Sequence, residues 1–77
     1  MKIYSYAILK EHFGKELEID DAVENINGLQ QLLTARSPAA KDILEACRYA
    51  VKDNFVSGDF QLHPNDQIHI IPPSSGG

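Results

Sequence analysis

The sequence predicts a small α+β domain whose helices are grouped between two sets of strands, in the order β-β-α-(α)-β-β, forming a mixed sheet with the helices on one face. Three observations predict it. Segments at both ends of the chain alternate apolar and polar residues, which is the period of a strand. Between them, apolar residues recur every three or four positions, which is the period of a helix. The 77 residues leave room for one thin hydrophobic core and no second domain. Helices gathered in the middle of such a chain cover one sheet face and leave the other to solvent or to a partner.

Residues 1–9 are rich in β-branched and aromatic side chains and read as the first strand, with Ile3, Ser5 and Ala7 on one face and Lys2, Tyr4 and Tyr6 on the other. Residues 16–20 alternate again, with Leu17 and Ile19 inward. They predict an antiparallel hairpin looping around residues 10–14. Asn27 suits an N-cap, and Leu29, Leu32, Leu33 and Arg36 follow at helical spacing. Ser37-Pro38 ends that helix and starts a second, since proline favours the first helical position, and Ile43, Leu44 and Cys47 form its apolar stripe. Residues 49–51 and 55–56 read as short strands about the polar turn Lys52-Asp53-Asn54. Pro64-Asn65-Asp66 is a turn, and Gln67–Ile71 is the clearest strand. Pro72-Pro73 stops it, because proline cannot donate to a ladder. The chain thus divides into a domain, 1–73, and a flexible Gly-Gly tail, 74–77.

Composition narrows the function. With 7 Lys+Arg against 11 Asp+Glu, a net charge of −4, no nucleic-acid partner is expected. One cysteine, Cys47, excludes an intrachain disulfide framework and a cysteine-based zinc cluster, and fits a reducing, cytoplasmic compartment. The longest apolar runs fall far short of the ~18–20 residues that span a bilayer, and no signal-peptide pattern opens the chain, so no membrane is expected.

Catalytic constellations are poor. His12, His63 and His69 lack metal-ligand spacing, and no metal site is expected. His69 reads as a solvent-exposed residue of the outer sheet face, and Cys47 as a small buried hydrophobe. The acids from Glu16 to Glu24 read as a solvated edge, and Ser74 and Ser75 have no base within predictable reach.

The C-terminus differs. Pro72-Pro73 favours an extended polyproline conformation that projects the tail from the sheet. Gly76-Gly77 lack Cβ atoms and can thread a narrow channel, delivering a terminal carboxylate to a partner's active site. The plainer alternative is a flexible spacer. Strand facing adds a second signal, since Tyr6 and Ile71 fall on the polar, outer faces of their strands. If those strands are neighbours, the two share an exposed apolar patch at the root of the tail, which Phe55 can join.

Residues 51–56 and 64–77, with the Pro-Pro-x-x-Gly-Gly ending, the opening strand and Gly14, resemble the small subunits of molybdopterin synthase, a family of ubiquitin-like β-grasp sulfur carriers. Pro64-Asn65 and Ser5 depart from the family pattern, with a less glycine-rich turn and a smaller residue respectively. The resemblance implies that a ubiquitin-activating-like adenylyltransferase uses ATP to convert the Gly77 carboxylate into an acyl-adenylate. A sulfur donor then yields a thiocarboxylate. The tail next enters the large, catalytic subunit of a heterotetrameric synthase. There the sulfur passes to cyclic pyranopterin monophosphate in molybdenum cofactor biosynthesis. In this pattern Gly77 carries the chemistry and Gly76, Ser75 and Ser74 give access. Tyr6, Phe55, Ile71, Pro72 and Pro73 form the partner-binding face, and the carrier binds no cofactor. Rival readings share the fold: a sulfur carrier for thiamine or tRNA thiolation, a ubiquitin-like modifier forming isopeptides through Gly77, or a pure interaction domain.

Overall fold

Five strands form one mixed sheet in the computed structural model, which describes residues 1–73. The chain runs through β1 (Lys2–Ser5), a 3-10 turn (Ala7–Leu9), α1 (Lys10–Phe13), β2 (Glu16–Glu18) and α2 (Ile26–Arg36). A second 3-10 turn (Pro38–Ala40) leads into α3 (Lys41–Ala46), and β3 (Arg48–Val51), β4 (Asn54–Val56) and β5 (Gln67–Ile71) follow. The strands lie in the order β2-β1-β5-β3-β4. β5 runs parallel to β1 and antiparallel to β3, so the last strand in sequence is the middle of the sheet. The expected α+β class holds. Because α1 stands between the first two strands and the segments at 49–51 and 55–56 each form a strand, the full order is β-α-β-α-α-β-β-β.

Register explains the core. Ile3, Ile68 and Val51 stand abreast on the inner face, and Ser5, Ile70 and Tyr49 form the next row. α2 lays Ile26, Leu29 and Leu33 over these rows, α3 adds Leu44, and Leu9, Ile19 and Leu62 close the edges. Each such side chain contributes about 1.5–3 kcal/mol by leaving water. The Tyr49 hydroxyl lies within this layer and donates to the Leu44 carbonyl at 2.9 Å, so its polar end is satisfied.

Three local differences from expectation have physical causes. First, β1 stops at Ser5, because Ala7 adopts a left-handed conformation (φ 54°) that turns the chain into helix. That geometry costs an L-residue about 1–2 kcal/mol, offset here by full burial of Leu9. The residues expected to loop are instead the helical α1, closed by Gly14 at φ 76°. Second, α2 is capped by Asn25 rather than Asn27: the Asn25 side chain accepts from the Gly28 amide at 2.9 Å. The amides of Ile26 and Asn27 donate to the carbonyls of Phe60 (3.3 Å) and Gly58 (2.8 Å), so the β4–β5 connection completes the helix start. Third, Ser37 precedes Pro38 as expected but makes no side-chain cap. Its hydroxyl instead meets His12 Nδ1 at 3.1 Å. Between β3 and β4, Lys52 and Asp53 both take positive φ (52° and 66°), which makes a two-residue hairpin turn.

Ser5 is buried in the inner face, and its hydroxyl has no hydrogen-bond partner among the described residues. Leaving a buried hydroxyl unpaired costs about 1–3 kcal/mol. Ser5→Ala is therefore expected to raise stability by about 1 kcal/mol, seen as a higher urea midpoint at unchanged slope. A lower midpoint would show that the hydroxyl is satisfied.

Candidate functional site

The outer face of the sheet repeats the same register with different residues. Tyr4, His69, Ala50 and Phe55 lie in one row across β1, β5, β3 and β4. One step nearer the end of β5, Ile71 stands beside Arg48. Tyr6, Ala50, Asp53, Phe55, His69 and Ile71 line a shallow depression of about 340 Å³. Tyr6 is 42% exposed, Phe55 57% and Ile71 36%, so the three residues expected to share a patch do share one, at the point where the chain leaves the sheet. Pro72, half-buried, and Pro73, exposed, continue directly from Ile71. Ser74, Ser75, Gly76 and Gly77 lie outside the described residues.

The depression has a polar brace that strand alternation does not disclose. His69, expected to point freely into solvent, is half-buried. Its ring stacks on Tyr4 at 4.8 Å between centroids (13° between planes) and on Tyr6 at 5.8 Å. The Tyr6 hydroxyl and His69 Nδ1 are hydrogen-bonded at 2.7 Å. On the opposite rim the Arg48 guanidinium lies 4.7 Å from the centre of the Phe55 ring, within cation–π range. The available signal was the matched period of two: Tyr4 on β1 with Tyr6 just past its end, and His69 and Ile71 on the strand beside it.

Other candidate groups are spent on structure. Cys47 is half-buried, and its thiol donates to the Ile43 carbonyl at 3.0 Å. Burial pushes the thiol up to about 11, away from the thiolate a nucleophile needs. His63 belongs to the turn before β5, where its amide donates to Asp66 Oδ2 at 2.8 Å. Glu16 pairs with Lys2 at 3.2 Å and Asp21 with Arg36 at 3.1 Å, solvent-screened surface contacts that add little to stability. Among the described residues no three His, Cys, Asp or Glu side chains cluster as a metal site would require, and no helix is long and apolar enough to cross a membrane.

A model of the ThiS family matches residues 3–77. The chain belongs to the ThiS family. It is 34% identical over 83 residues to the molybdopterin synthase sulfur carrier subunit of Dictyostelium discoideum, covering 99% of this chain and 94% of that relative. The resemblance to small subunits of molybdopterin synthase is thereby shown at the level of the family. Two solved structures share the backbone. Molybdopterin converting factor subunit 1 from Pyrococcus furiosus superposes with a TM-score of 0.82 at 22% identity over 95% of each chain. SAMP1 from Haloferax volcanii gives 0.82 at 17% identity, over 100% of this chain and 98% of that one. At these identities the likeness concerns the fold, which is the ubiquitin-like β-grasp.

In this ThiS-family chain the buried thiol has a measurable signature. An unfolded cysteine titrates near its ordinary 9.0, whereas Cys47 holds its proton to about 11. The stability it contributes is complete below pH 9 and is lost as pH rises through 11, because the unfolded chain releases its proton first. The buried Tyr49 phenol, pushed up by desolvation, acts in the same direction. Cys47→Ala is expected to reduce the stability lost between pH 9 and 11 by about 1 kcal/mol, discounted for partial exposure. Urea midpoints measured against pH check this, and identical pH slopes for the two proteins would contradict it.

Proposed function

We propose that this chain is the sulfur-carrier subunit of molybdopterin synthase, carrying sulfur as a thiocarboxylate on Gly77. The observation that carries the reading is the exposed depression of Tyr6, Phe55 and Ile71 at the exit of β5, from which Pro72-Pro73 lead toward the Gly-Gly end. The relative from D. discoideum supports the choice of pathway. Residues 1–73 act as the docking domain and residues 74–77 as the reactive tail.

The chemistry follows from the carboxylate. A carboxylate has no leaving group, so an adenylyltransferase first joins it to the α-phosphorus of ATP, releasing pyrophosphate. Hydrosulfide released by a sulfur donor then attacks the acyl carbon, the bond to AMP breaks, and loss of the S–H proton leaves a thiocarboxylate. Without Cβ atoms, Gly76 and Gly77 reach a reacting centre that any other residues would block. Pro72-Pro73 favours an extended conformation, a stiff lead-in from the docking face to the tail. The large synthase subunit covers Tyr6, Phe55, Ile71, Pro72 and Pro73 and receives the tail in its own active site. There the sulfur passes to cyclic pyranopterin monophosphate. This division asks for no cofactor and no catalytic side chain on the carrier, and its proposed setting is a cytoplasmic heterotetramer.

Two measurements test the reading. Incubated with ATP, a sulfur donor and the adenylyltransferase, the chain is expected to gain the mass difference of one oxygen replaced by sulfur at Gly77, and deletion of Gly77 is expected to abolish pterin sulfuration without unfolding the domain. An unchanged terminus would sink the thiocarboxylate, and isopeptides on target lysines would point to a protein modifier. Separately, Ile71→Asp places a charge in the docking face and is expected to weaken binding to the large subunit by about 2 kcal/mol or more with little change in stability. Unchanged affinity by calorimetry would discard the docking face.

A further inference from the structure

The exposed ring of Tyr6 is held in a way that an isolated surface aromatic is not. Tyr6 lies just past the last residue of β1 and just before the left-handed Ala7, so no strand ladder fixes it. What fixes its ring is a hydrogen bond to His69, 63 positions away on the central strand. His69 is itself immobilised by ladder bonds to β1 and β3 and by its stacking on Tyr4.

We infer that His69 is the positioning residue of this docking face, holding the Tyr6 ring in its binding orientation before a partner arrives. The inference rests on the docking role proposed above. Two physical effects support it. Ordering a free aromatic side chain on association weakens binding by about twofold to tenfold, a cost avoided when the ring is already held. The hydroxyl and Nδ1 also partner each other, so covering this pair costs less than covering two unpaired groups, with the other ring nitrogen, Nε2, left to a polar atom of the partner or to water. His69 thus lets the Tyr6 hydroxyl sit inside an otherwise apolar contact.

The test measures affinity of full-chain variants for the large synthase subunit by calorimetry, alongside their urea midpoints. Tyr6→Phe keeps the ring and removes the hydroxyl, and His69→Phe keeps a stacked ring and removes the nitrogen that bonds it. Each is expected to weaken binding by about threefold to tenfold at an unchanged midpoint. The double variant is expected to bind no worse than the weaker single one, because the pair acts as a unit. His69→Asn, whose amide oxygen stands near the place of Nδ1, is expected to recover affinity lost in His69→Ala. If both single variants bind as tightly as the parent, or if their losses multiply in the double variant, while Ile71→Asp still weakens binding, the positioning role is overturned and the docking face stands. If Ile71→Asp also binds normally, both fall together.

Discussion

β5 is hydrogen-bonded along both edges, to β1 on one side and β3 on the other, and its inner side chains Ile68 and Ile70 are wholly excluded from water. Removing it would leave two unconnected hairpins and an open helical layer. The same strand sets the outer face, since His69 and Ile71 alternate with the two buried isoleucines. A strand pinned on three sides has a fixed exit direction. Pro72 and Pro73 inherit that direction, which is why a depression one residue away from them can act together with whatever follows.

The two faces of the sheet divide the labour sharply. The inner rows are aliphatic, with one phenol bonded to Leu44 and one unpaired hydroxyl. The outer rows carry charged pairs toward β2 and rings toward the end of β5. A surface with few aromatic residues has gathered Tyr4, Tyr6 and Phe55 on the sheet face that the helices leave open.

Much of this was legible in the chain because a strand's period of two assigns faces directly. Ile68 and Ile70 inward, with Ile71 and Tyr6 outward, follow from alternation alone, and so does the shared patch once the strands are neighbours. Less legible were features that depend on distant partners. The start of α2 is decided by carbonyls from Gly58 and Phe60, which no local cap preference encodes. The end of β1 is decided by Ala7, whose left-handed backbone runs against its own preference and is maintained by burial of the neighbouring Leu9. His69 looked like an ordinary exposed residue because its neighbours Tyr4 and Tyr6 lie at the far end of the chain. Family membership, by contrast, was carried by the Pro-Pro-x-x-Gly-Gly ending and the strand before it.

The parallel pairing of β1 with β5 has a consequence for synthesis. Lys2 must wait for Gln67 before its strand acquires a neighbour on that edge, so nearly the whole chain has to leave the ribosome before the sheet can close. Contacts this distant in sequence slow folding. They also mean that a nascent chain stalled before β5 holds two separate hairpins with no strand between them, so the topology makes closure of the sheet a late, all-or-none event.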